Sequence, residues 1–158
     1  MYIVLTTVLV VSAYDRLRQT ERREKIVVKI AVVYPDEFVL TLIVELLGSE
    51  EGFEVEGFGD VNLLVGRFEE FDLVVTNWGG SKRAGYYTAG GPMLSRVIDA
   101  MREEGIRKPI IVCTGGFPSD EEKEDFPQVS YWWLATQEFY VRDVVKAIND
   151  AIANTWED

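Results

Sequence analysis

From Lys25 onward the chain alternates short apolar runs with segments whose apolar residues recur at helical spacing. That alternation is what a series of β-α-β units requires, and it implies a parallel sheet buried between two layers of helices. Ile26–Tyr34 reads as the first strand. Pro35 and Asp36 open a helix through Leu47, with Gly48 suited to its stop, and Val39, Leu40, Leu42, Ile43, Leu46 and Leu47 form a broad buried stripe. A second strand covers Phe53–Phe58. Asp60 is placed to cap a second helix lined by Val61, Leu64, Val65 and Phe68. A third strand follows at Phe71–Thr76. After a glycine-rich loop the pattern gives a helix from Pro92 to Glu104, a strand at Pro109–Thr114, an acidic irregular stretch, a strand at Val129–Leu134 and a last helix over Glu138–Thr155.

Composition narrows the possible chemistry. The chain has 158 residues, enough for one domain with a proper core, and nothing in it marks a linker within 26–158. No histidine is present, which excludes His-based triads, His-ligated zinc and imidazole acid-base catalysis. A single cysteine, Cys113, cannot form an internal disulfide, and the cytoplasm is the expected compartment. The formal net charge of −11 argues against nucleic acid as a partner. Arg16, Arg18, Arg22, Arg23 and Lys25 are diluted by Glu21 and Glu24 and read as a solvated face.

Residues 1–25 form a segment of their own. Met1 to Ala13 is almost wholly apolar, but a bilayer span needs about 20 such residues, so no membrane role is expected. The density of Ile3, Val4, Thr6, Thr7, Val8, Val10 and Val11 favours a strand, added to the sheet or exchanged with a second copy, with a helix as the other reading. Left exposed, the run invites aggregation, so it is expected to be covered.

Four patterns, in this order, resemble the receiver domains of two-component response regulators: KIAVVY with its following helix, FDLVVTN, GGPMLSRVIDAMREEGIRKPIIVCT and SYWWLA. The resemblance spans Ile26 to Ala153. It implies a three-layer α/β/α, flavodoxin-like domain with a central parallel sheet of five strands, and possible addition of a sixth from the N-terminus. Receivers use an aspartate as phosphoryl acceptor, two acids to hold Mg²⁺, and a hydroxyl and a lysine to contact the phosphoryl oxygens.

Aligned on these patterns, the acceptor position falls on Asn77, an amide that cannot form the acyl phosphate. The acid pair falls on Tyr34 and Pro35. Sliding by two residues would offer Asp36 and Glu37 instead, at the cost of the match with Leu42, Ile43, Leu46 and Leu47. Leu134 stands at the lysine position, followed by Ala135 in place of the usual proline. Thr114 keeps the hydroxyl position and Tyr131 the aromatic switch position. The resemblance therefore implies a degenerate receiver with no catalytic residue, no metal and no cofactor, acting through phosphorylation-independent association with a protein partner, with a homodimer expected.

The rival reading is a small-ligand or nucleotide sensor of the same fold. The loop at 79–91 is long for a β-α connection, which usually takes about 2 to 6 residues, and it carries Lys82, Arg83, Tyr86 and Tyr87. It fits neither the phosphate-loop nor the dinucleotide fingerprint. Trp132 and Trp133 adjoin in one strand and must point to opposite faces.

Overall fold

The computed structural model describes residues 27–78, 93–115, 118–134 and 141–155. They form a parallel sheet of five strands, β1 (Val28–Val33), β2 (Phe53–Phe58), β3 (Leu73–Asn77), β4 (Ile110–Thr114) and β5 (Val129–Leu134), in the order β2-β1-β3-β4-β5. Helices α1 (Glu37–Gly48), α2 (Met93–Glu103), α3 (Asp120–Glu124) and α4 (Val141–Thr155) connect or follow them. The expected three-layer α/β fold is what the chain adopts. The possible sixth strand, and the boundary placed between residues 25 and 26, lie outside the described residues.

Burial on both faces explains why the central strands are continuous apolar runs rather than alternating ones. In β1, Ile30 and Val32 face a cluster formed with Ile43 and Leu47 of α1 and Val144 and Ile148 of α4. Ala31 and Val33 face the opposite cluster, with Phe68, Val97 of α2 and Val112 of β4. Chain direction follows from this layering. β1 feeds β2 on one side and β3 pairs on the other, so the strand order reverses between β1 and β3, where open α/β sheets form a crevice at their carboxyl ends.

Local signals account for the helix ends. Asp36 is the N-cap of α1, accepting from Val39 N at 3.0 Å, so α1 starts at Glu37, two residues after the expected opening at Pro35. The helix expected after Asp60 is not an α-helix. Two short 3₁₀ turns, Val61–Leu63 and Phe68–Glu70, replace it, and Gly66 at φ 82° turns the chain out of helical geometry between them. Val61, Leu64 and Phe68 are buried as their spacing demanded, whereas Val65 is half exposed.

This crossover is held by side chains. Arg96 of α2 makes a two-pronged ion pair with Asp60, at 2.9 and 3.0 Å, which keeps the Asp60 carboxyl below its ordinary value. Arg67 bridges Glu56 and Glu70 through ion pairs while its guanidinium lies over Phe58 and Phe71. The acidic stretch after β4, expected to be irregular, contains α3. Ser119 and Glu122 form a reciprocal capping box that starts it.

Candidate functional site

The carboxyl ends of β1, β3, β4 and β5 bring most of the singled-out residues to one edge of the sheet. Val33 pairs with Thr76, so Tyr34 and Asn77, each one residue further on, stand side by side at the β1/β3 crevice. Asn77 closes β3, half-buried, and pairs across to Cys113; Thr114 closes β4, buried, and pairs with Leu134, the last residue of β5. The four positions to which the resemblance assigns receiver chemistry, Tyr34, Asn77, Thr114 and Leu134, therefore lie along one end of the sheet. Pro35 is exposed beside them.

Each side chain has a local reason for its place. Tyr34 N donates to Phe58 O at 3.0 Å, which continues the β1/β2 pairing past the strand, and the ring packs against the α1/α4 side of the core. Burial, with Cys113 and Asp36 nearby, holds its phenol above the ordinary value of 10.0. Asp36, the acid offered by the shifted alignment, commits its carboxylate to capping α1, and Glu37 is exposed in the first turn. Among the described residues no group of three or more His, Cys, Asp or Glu is arranged to hold a metal ion.

Thr114 and Tyr131 are not brought together. Tyr131 pairs with Ile111, three residues before Thr114, and packs half-buried against the α1/α4 side of the core. Thr114 shares the parity of Val112, whose side chain belongs to the opposite cluster. The two neighbouring tryptophans divide as alternation requires. Trp133 is buried against α4, and Trp132 packs half-buried on the other face.

One feature beside the site was not foreseen from the sequence. Trp78, directly after Asn77, is buried and meets Trp132 edge to face at 5.9 Å, with Phe126 a further 6.4 Å from Trp132. The contact joins the end of β3 to β5 across β4, and only the strand order reveals it. The loop residues Lys82, Arg83, Tyr86 and Tyr87 lie outside the described residues, and so does the ligand site built on them. The grooves found among the described residues lie elsewhere. One of about 560 Å³ runs between β5 and α4, lined by Tyr131, Lys146, Ala147 and Ala151 among others.

Cys113 is buried in β4, and burial pushes its thiol up to about 12. We expect no reaction with Ellman's reagent at pH 8 in the native protein and one full equivalent on denaturation. Because the folded thiol titrates above its ordinary 9.0, the folded state should also lose stability as pH rises from 9.0 toward about 12. Rapid labelling of native protein would contradict this placement.

Neither a protein-family model nor a curated protein matches the sequence. Solved structures do match the fold. A response regulator receiver domain protein from Clostridium thermocellum is 19% identical with a TM-score of 0.61, over 82% of this chain and 97% of that one. A CheY-like receiver domain protein from Methanospirillum hungatei is 16% identical with a TM-score of 0.62, over 83% and 98%. A chemotaxis protein from Vibrio cholerae is 15% identical with a TM-score of 0.61, over 79% and 98%. Identity this low carries the fold and nothing finer: the chain has the flavodoxin-like architecture of response regulator receiver domains.

Proposed function

We propose that this chain is a receiver-fold signalling domain that carries out no phosphoryl transfer and acts by binding a protein partner, a second copy of itself included. One observation carries the reading: Asn77 ends β3 at the crevice, with Tyr34 and Pro35 beside it, where acyl-phosphate chemistry needs a nucleophilic carboxylate and two metal-binding acids. An amide nitrogen or oxygen cannot take the phosphoryl group as a carboxylate does. Leu134, across from Thr114, offers no cation to a phosphoryl oxygen. On this reading the protein is not an enzyme and uses no cofactor.

The outer edge of the sheet supplies a surface for association. β5 pairs only with β4 among the described strands, and the groove beside it mixes Tyr131, Ala147 and Ala151 with Asp143, Lys146 and Asp150. Charges of both signs on one helix face suit an isologous contact, in which the same patch meets itself. The overall charge of −11 speaks for a protein rather than a nucleic acid in that role. No helix among the described residues is long and apolar enough to cross a membrane, and we place the protein in the cytoplasm.

Light scattering of the purified chain tests this. We expect a mass above the monomer's 18.0 kDa that is unchanged by EDTA, by Mg²⁺ or by acetyl phosphate, with no phosphoryl adduct in the intact mass. A strict monomer that gains a phosphoryl group and then associates would overturn the proposal.

A further inference from the structure

Helix α1 carries more apolar surface than the core uses. Among the described residues, the α1/α4 side of the core takes Val39, Leu40, Ile43, Val44 and Leu47 from this helix. Phe38, Leu42 and Leu46 stand outside that cluster and recur every four residues, so they line one side of the helix. Phe38 is 78% exposed, the most exposed large apolar residue among the described residues. With Asp36, Glu37, Thr41, Leu42 and Glu45 it borders a shallow groove of about 560 Å³. A phenylalanine this exposed, in line with two half-buried leucines, leaves an apolar stripe with an acidic rim.

We propose that the apolar run Met1–Ala13 of the same chain docks on this stripe. Three observations favour that occupant. The first is where the chain enters the fold. Val28 N donates to Gly52 O at 2.8 Å, so β1 begins beside the end of α1, and a segment leading into Val27 arrives at the foot of the helix. The second is length. Thirteen residues, Tyr14–Ile26, separate the run from Val27, the residue before β1. They reach about 20 Å as a helix or about 43 Å extended, against about 18 Å for the whole of α1. The run can therefore lie along the helix in either conformation.

The third is charge. The connector carries Arg16, Arg18, Arg22, Arg23 and Lys25 against three acids, in a chain whose net charge is −11. The side of α1 it must climb presents Glu37 and Glu45, with Glu50 and Glu51 just beyond the helix, and α1 has no basic residue in its last turn. Cations flanking the run thus meet acids flanking the stripe, while apolar residues meet apolar residues. Docking there also covers the run, which is otherwise an aggregation hazard.

Photo-crosslinking in the complete chain tests the placement. Phe38→p-benzoylphenylalanine alters a side chain that is 78% exposed, so the fold is retained. After irradiation we expect the dominant adduct at the mass of one chain, joining position 38 to the tryptic peptide Met1–Arg16. The same photoreactive group at Leu63, 62% exposed on the other side of the sheet, should not reach that peptide. An adduct joining two chains, an adduct to another segment, no adduct, or equal capture from position 63 would each overturn the proposal.

Discussion

Phe68→Ala is expected to cost about 3–5 kcal/mol of folding stability, a large part of what a domain of this size has. Phe68 is fully buried, yet it sits in a 3₁₀ turn of three residues rather than in a helix. No extended backbone hydrogen-bond ladder holds the β2-to-β3 crossover, so its position depends on Val61, Leu64 and Phe68 reaching the core and on the Asp60–Arg96 pair. Removing the ring leaves a cavity that a glycine-interrupted turn can only partly close. Urea denaturation checks this through the midpoint. A loss under about 1 kcal/mol, the scale of an ordinary surface change, would mean that the crossover is not packed as described.

Trp133→Ala should cost about the same, 3–5 kcal/mol, and clearly more than Trp132→Ala. The two residues are adjacent in β5 and chemically identical, so the comparison isolates the face each one occupies. Trp133 is 4% exposed beneath Val144 and Ile148 of α4, whereas Trp132 is half-buried against Trp78 and Phe126. A strand slipped by one residue exchanges its faces entirely. If Trp132→Ala proved the more damaging, β5 would be in the other register, and Leu134 would no longer stand opposite Thr114.

These two cases also show which parts of the structure were legible in the sequence. Strands buried on both faces, such as IAVV at 30–33 and IIVC at 110–113, are unbroken apolar runs, and their ends locate the crevice residues to within a position. Tyr34, Asn77, Thr114 and Leu134 could be placed at strand ends for that reason. The crossover after Asp60 could not be read correctly, because buried residues at 61, 64 and 68 suit an α-helix as well as two 3₁₀ turns. Gly66, whose positive φ interrupts the path, was the available signal. Ser119 and Glu122 likewise spelled a capping box within a stretch read as irregular.

What depends on strand order stayed out of reach. The contact of Trp78 with Trp132 and the pairing of Asp60 with Arg96 join residues far apart in sequence, and no periodicity announces them. The separation of Thr114 from Tyr131 is of the same kind. It follows from the Ile111–Tyr131 register and from side-chain alternation, which together put the two on different faces. A coupling between them of the kind receivers use would have to pass around the strand rather than along one side of it.

The most direct test of the central claim is a titration with beryllofluoride and Mg²⁺ followed by tryptophan fluorescence. Beryllofluoride mimics a phosphoryl group only where a carboxylate and a bound cation hold it, and Trp78, next to Asn77 and against Trp132, is placed to report any change at the crevice. The account predicts no saturable response. A saturable response that needs magnesium would contradict it, and would mean that the edge formed by Tyr34, Asn77, Thr114 and Leu134 still holds a phosphoryl group.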